Sequence, residues 1–525
     1  MAPSGTYAKM TTGIFIPTRY AIILIAAILW MSALQIKDLS QAYREVQKKN
    51  DGSVFLTSKH YVESKPVLRN PKDQQQCRFY FAESAVAEKS GMGVFSAVGL
   101  HKGEDISFPD ICIFVSQPPR KWTHLHSHTW GWGTYFGQYE GSHSRAACEG
   151  VHTTYNTMPD NMINTKILSP LQPTTAGVTR TKPGAGAISH HYGIRSEATT
   201  TIQAGQELTI YYGDWEFKGD PLFKPQRKVQ DLAENGWCID HIEIKQSTID
   251  GAGRGLFTKR NLPENTVLTP APLQIFTDRS IFPKVNGREQ LYINYCMQTE
   301  GSDMMVYPYG PGVNLINHSM NPNVGWRWSD KSLHHGEFLK MNLRDFWENV
   351  WPGSIILEIY ALRELVAGEE LFLDYGDAWQ EAWDEHVANW QPPKDAENYV
   401  YPEEMDDTET LRTVKEQEDD PYPESVMTMC FTPLFERDPG IMEWYEDEDA
   451  WGQSNMVYCH ILDREYGPDG TEKYTVELIW FHYNSGKPLT EKDLTYDPSK
   501  NMKERFVDTN VPRRAIKWNE KPYSD

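Results

Sequence analysis

The stretch "PYGPGVNLINHSMNPNV" (308–324) places three hydrogen-bonding residues, Asn317-His318-Ser319, directly behind the apolar pair Leu315-Ile316. Gly and Pro stand on both sides. Asn, Ser, Gly and Pro each favour turns for local reasons, so a plain polar turn explains the stretch taken alone. Its neighbours change that reading. Upstream lies "GAGRGLFTKRNLPENTVL" (251–268), and downstream "ELVAGEELFLDYGDAW" (364–379). Gly253-Arg254-Gly255 lets the backbone turn tightly and approach a ligand closely. "ELFLDYG" reads as a short strand ending at Tyr375-Gly376, where the phenol can face a site at the strand end.

The chain repeats this order of segments, which is a stronger signal than any one of them. "SGMGVFSAVGLHKGEDI" (90–106) lines up with 251–268, and "PGAGAISHH" (183–191) with "PGVNLINHS" (311–319). "TIQAGQELTIYYGDW" (201–215) lines up with 364–379. Two tandem copies of one fold are therefore expected at 77–217 and 238–390.

The conjunction of Gly-x-Gly-Leu-Phe, Asn-His-Ser and Glu-Leu-x-x-x-Tyr-Gly resembles the SET-domain family of protein-lysine methyltransferases. The resemblance covers both repeats. It implies a mostly β, β-clip fold of small sheets with some α, in which a threaded, knot-like crossing joins the Asn-His and Tyr segments. It also implies S-adenosylmethionine as cofactor, lying along Gly253, Arg254 and Gly255. Asn317 and His318 would hold its two ends, and Tyr375 would stand at the methyl-transfer point. The acceptor would be a protein lysine, with histone-like basic tails among the possibilities. A scaffold built from two degenerate copies is the competing reading.

Methyl transfer needs a neutral amine. Free lysine titrates at about 10.4, so deprotonation at pH 7 costs roughly 4.6 kcal/mol. A dry channel and a nearby sulfonium both lower that pKa, so the chemistry requires no side-chain base and no metal. The first repeat departs from the pattern. On the string alignment Ser189-His190-His191 replaces Asn317-His318-Ser319, and Met92 replaces Arg254, while Gly91, Gly93 and Tyr212 remain. A pseudo-enzyme or substrate platform is expected there. No Cys-rich segment follows Tyr375. Trp379, Trp383, His386 and Trp390 recur there at helical spacing, as ordinary packing or as an aromatic lid over the cofactor.

Composition limits the remaining possibilities. The 525 residues carry a formal charge of −21, and 19 acids against 4 bases fall between 394 and 450. The body is thus mildly acidic, and direct binding of a phosphate backbone is not expected. The acidic stretch reads as a solvated linker, 391–450. Seven cysteines form no CxxC pair. That argues against a thiolate zinc cluster and a dense disulfide framework, and for a reducing compartment. The only Asn-x-Ser/Thr sequon is Asn317-His318-Ser319 itself.

Residues 20–36 carry no charge. As a helix they span roughly 26 Å, short but sufficient for a single-pass anchor within 1–40. A cleaved signal peptide is the alternative. Flanking charges favour a cytoplasmic body, with the secretory lumen as the other option. A linker is expected at 41–76. His124, His126 and His128 share one side of a strand pattern, as a polar face or a zinc pair. Finally, "MVYCHILDREYGPDGTEKYTVELIWFH" (456–482) alternates around a Gly-Pro-Asp-Gly turn, a hairpin signal. The segment 451–525 is expected to form a small Tudor- or SH3-like β-barrel.

Overall fold

The computed structural model describes residues 77–520 apart from 87–90, 107–109, 116–128, 132–144, 169–178, 185–186, 190–192, 213–224, 277–281, 283, 285–288, 299–304, 330–354, 395, 406–407, 434–436, 446–455, 469 and 480–494. The apolar segment 20–36, the linker 41–76 and the histidines at 124, 126 and 128 lie outside it. Among the described residues no helix is long and apolar enough to cross a membrane. The described residues are mostly β, with two α-helices among them, α1 (Val229–Asn235) and α2 (Asp377–Asn389), and several short 3-10 turns.

The first half opens with the antiparallel pair Phe79–Glu83 and Met92–Ser96. The two-residue strand Trp237–Cys238 adds to the same sheet beside Phe79–Glu83. A domain boundary at 238 would therefore cut a strand that belongs to the first half's sheet. The second half begins with the hairpin Ile242–Gln246 and Arg254–Thr258. It continues into a five-stranded sheet whose order is 297–298, 305–308, 267–276, 356–361, 324–328. The strand Val267–Phe276 reads VLTPAPLQIF, almost entirely buried, as a central strand covered on both faces should be.

The halves are not separately cored. Ile111, Ile113 and Val115 of the first pack in one cluster with Leu256, Leu273 and Ile359 of the second. A buried carboxylate pins the seam. Glu358 accepts from Trp237 Nε1 at 2.7 Å, Arg327 Nε at 3.0 Å and Ser329 Oγ at 3.1 Å. Each oxygen has a partner, the condition under which a buried charge is tolerated.

Two sequence expectations are corrected here. Six of the seven cysteines pair, as Cys77–Cys238, Cys112–Cys148 and Cys430–Cys459, with Cys296 outside any disulfide. The partners lie 161, 36 and 29 positions apart and meet only because strands bring them together. Cys112 and Cys148 sit directly opposite one another in an antiparallel pair. Short-range spacing carries no trace of such pairings.

The acidic stretch is not a linker. Its strand Val426–Phe431 is buried along its whole length, and Leu411 joins the C-terminal core. Glu416, Glu418, Asp419, Asp420 and Glu424 occupy the turns just ahead of that strand. Together with 440–443 this stretch completes a six-stranded sheet of order 440–443, 506–512, 472–478, 456–466, 426–431, 516–520. The hairpin around Gly467–Thr471 forms, with Tyr466 opposite Glu472.

Candidate active site

Asn317-His318 is not a free turn. It forms a two-residue strand that pairs in parallel with Phe372-Leu373, which leads directly into Tyr375. The 3-10 turn Val313–Leu315 delivers it, entered through Gly312 at a φ of 69° that a side chain rarely adopts. The Gly312 N–H donates to Asp110 Oδ2 at 2.6 Å, so a residue of the first half fixes where this loop begins.

Around the pair lies a closed polar network. Asn317 Nδ2 sits 3.1 Å from Arg254 O, 3.1 Å from Ser247 Oγ and 3.2 Å from Glu370 Oε1. Glu370 in turn accepts from Ser247 Oγ and from the Thr248 N–H, both at 2.7 Å. Gly255 makes room for it, since a Cβ there would stand 2.2 Å from Glu370 Oε1. Gly253 has a φ of 74°, which closes the turn between the hairpin strands. The glycines thus have separate duties, one conformational and one steric.

His318 Nδ1 accepts the Tyr375 N–H at 2.9 Å. The proton of the neutral ring therefore sits on Nε2. That nitrogen is buried and has no partner among the described residues. The Tyr375 hydroxyl donates to Ile316 O. Burial, with Tyr295 nearby as a smaller cause, holds its pKa above the usual tyrosine value. Tyr295 is likewise raised to about 12 by burial, against opposing effects of the Ser189 N–H and Arg254. At neutral pH both are phenols that donate or accept hydrogen bonds and neither is a base.

α2 covers this corner. The Trp379 ring lies 4.8 Å from His318 and 4.9 Å, edge-on, from Tyr375. Trp383 stacks on Trp379 at 5.8 Å, and His386 on Trp383 at 5.3 Å. No side chain of α2 is fully buried, so the row is a cover and not a core stripe.

The structure brings Gly253, Gly255, Asn317, His318 and Tyr375 together. Arg254 contributes its carbonyl, but its buried guanidinium turns away into the first half, donating to Asp110 O and Ser189 O. Sequence reading missed Glu370, Ser247 and Tyr295. A signal for Glu370 was present, because "GQEL" and "GEEL" hold an acid at the same place in both repeats.

The first half contains the same network, and its residues are not those of the string alignment. Asn156-Thr157 pairs in parallel with Thr209-Ile210. Asn156 Nδ2 donates to Met92 O at 3.0 Å and to Glu207 Oε1 at 2.8 Å, and Glu207 accepts from Ser84 Oγ and the Ala85 N–H. A Cβ on Gly93 would meet Glu207, and the Tyr212 hydroxyl donates to Tyr155 O. Asn156, not Ser189, therefore stands where Asn317 stands. Ser189 is a seam residue, its N–H on the Tyr295 hydroxyl at 2.8 Å and its own hydroxyl on Cys112 O.

Asp110 makes the seam sensitive to pH. Burial pushes its pKa up to about 7, against the Gly312 N–H and Arg254. The folded chain then keeps a proton that the unfolded chain has released, so stability falls as pH rises from about 4 to 7. Asp110→Asn should remove up to about 4 kcal/mol of that slope while keeping an acceptor for Gly312. Thermal unfolding of both proteins at pH 5 and pH 8 measures it, and parallel curves would reject the assignment.

Residues 253–376 match the family model of the SET domain. No curated protein matches the chain. Among solved structures, the crystal structure of a candidate histone methyltransferase from Plasmodium falciparum is similar over 27% of this chain and 96% of its own, at 17% identity and a TM-score of 0.19.

Proposed function

We propose, for a chain that carries a SET domain at residues 253–376, that it is an S-adenosylmethionine-dependent protein-lysine N-methyltransferase whose second half is the active one. The observation that carries this reading is His318 Nε2, a buried donor with no acceptor among the described residues, beside a glycine turn and a fixed asparagine. A buried unpaired donor costs about 1–3 kcal/mol, a cost a purine ring nitrogen would relieve. The residues present therefore fit an adenosyl ligand.

The cofactor supplies an electrophilic methyl on a sulfonium. The chain supplies position. The Gly253–Gly255 backbone and Asn317 Oδ1 would hold the amino-acid end, and His318 the purine edge. Tyr375, held as a neutral phenol, would orient the incoming amine along the transfer line. Trp379 covers the corner and excludes water. The acceptor is a lysine in a basic protein segment, consistent with a chain of net charge −21.

Thr157 occupies the place of His318 in the first half and lacks the ring N–H. We therefore assign 77–217 as a second copy of the fold with weaker cofactor binding. Three disulfides support placing the body in an oxidising compartment, the lumenal alternative, with residues 20–36 as the membrane anchor.

Calorimetric titration of S-adenosylmethionine into the full chain tests the core of this reading. One tight site per chain is expected, weakened about tenfold by His318→Ala and unchanged by Asn156→Ala. Two equal sites would overturn the division of roles. Absence of binding would overturn the enzyme.

A further inference from the structure

The hairpin loop of the first half crosses onto the second half beside the cradle. Its residues 179–184 and 187–189 belong to the run "TRTKPGAGAIS", with two cations, no acid and mostly small residues. Arg180 donates to the Tyr399 hydroxyl at 2.9 Å and lies 4.2 Å over that ring. Lys182 Nζ meets Asp250 at 2.6 Å, in the turn that runs into Gly253. Pro183 O lies 2.8 Å from His386 Nε2, on the same helix as Trp379. Ala187 O accepts from Asn294 Nδ2 at 3.4 Å, and the Ser189 N–H donates to Tyr295.

Two features of these contacts stand out. They run in chain order from Tyr399, past the glycine turn and α2, to a phenol that neighbours Tyr375. At Pro183, Ala187 and Ser189 they use the backbone of the crossing segment, and among the described contacts to the second half its side chains enter as the two cations. That is how a surface recognises an extended peptide: main-chain bonds supply affinity, and a few side-chain positions supply specificity. Asp250 is almost fully exposed beyond its lysine partner, so the site opens to solvent on that side.

We propose that residues 179–184 occupy the groove that takes the acceptor. The external partner is then an extended, basic protein segment with two cations two positions apart, followed by small residues. The segment 179–184 acts as an internal competitor that must lift away to admit it. Naming the occupant as a methyl acceptor rests on the function proposed above; the groove and its competitor rest on the contacts alone.

The test uses the full chain and a fluorescent synthetic peptide of sequence 177–189. In the wild type the tethered segment competes at high effective concentration, so the peptide binds weakly. Arg180→Glu with Lys182→Glu should expel the segment and tighten peptide binding at least about tenfold, read by anisotropy. Hydrogen exchange of 179–184 should rise in that variant, and also in the wild type when peptide is added. A peptide with Gln in place of Arg and Lys should fail to bind. Equal affinity for wild type and variant, with exchange at 179–184 unchanged, would overturn the proposal. Cofactor titration is scored separately. Peptide binding by a chain that takes no S-adenosylmethionine would leave the groove and remove the methyl-transfer reading. Cofactor binding and methyl transfer without the gain in peptide affinity would remove the competitor and leave the enzyme.

Discussion

Tyr375→Phe is expected to lower methyl transfer on the order of 10²-fold or more, while the fold and most cofactor affinity survive. One oxygen is removed. It now donates to Ile316 O, and losing that bond costs about 1 kcal/mol of stability. The larger effect falls on turnover, because a preorganised hydroxyl at the reacting amine acts most strongly in the transition state. A second outcome is compatible with the same role: the space left by the oxygen admits an already methylated amine, and the product shifts to a higher methylation state. Tyr212→Phe, which removes the corresponding bond to Tyr155 O, should change turnover little. The measurement is incorporation of labelled methyl into basic peptides, with product mass. A Tyr375→Phe enzyme that matches the wild type in both rate and product would make Tyr375 structural.

The second large effect concerns Cys77–Cys238, which closes a loop of 161 positions. In the chain-entropy picture a bond closing so long a loop stabilises by about 5 kcal/mol, an upper figure because real unfolded chains retain structure. Cys77→Ser with Cys238→Ser should therefore shift denaturant unfolding strongly. Loss of the other two bonds, which close loops of 36 and 29 positions, should cost less. The same bonds report the compartment. Alkylation of the unreduced protein taken from cells should label one thiol, Cys296. Labelling of all seven cysteines before reduction would place the body in a reducing environment and reverse the assignment to the lumen.

Much of the site was legible because its residues fall in short segments that the chain writes twice. Gly253, Gly255, Asn317, His318 and Tyr375 were picked out by the resemblance those segments carry together, and the structure brings them to one place. The pairing of Asn156 with Asn317 could not be found that way, because "SHH" looks more like "NHS" than "YNT" does. Backbone register, not string similarity, decides which residue enters the cradle. Arg254 misled for a related reason. Its carbonyl faces Asn317, whereas its guanidinium answers to Asp110 and Ser189, more than sixty positions away. The buried strand Val426–Phe431 was hidden by the acids flanking it, since charge counted over a window says nothing about which six residues turn inward.

The parallel pairing of Asn317-His318 with Phe372-Leu373 joins segments 55 positions apart through only two rungs. A ribosome makes this protein from one end. The Asn-His turn therefore emerges early and stays incomplete until Leu373 and Tyr375 follow it out. Glu370, which receives the Asn317 amide, arrives at almost the same moment. A nascent or prematurely ended chain that stops before this point has the asparagine and the histidine, and even the glycine turn, yet nothing to hold a ligand. On the function proposed above, cofactor binding would become available only to a chain whose synthesis has passed Tyr375, and the ligand would discriminate such chains from shorter fragments.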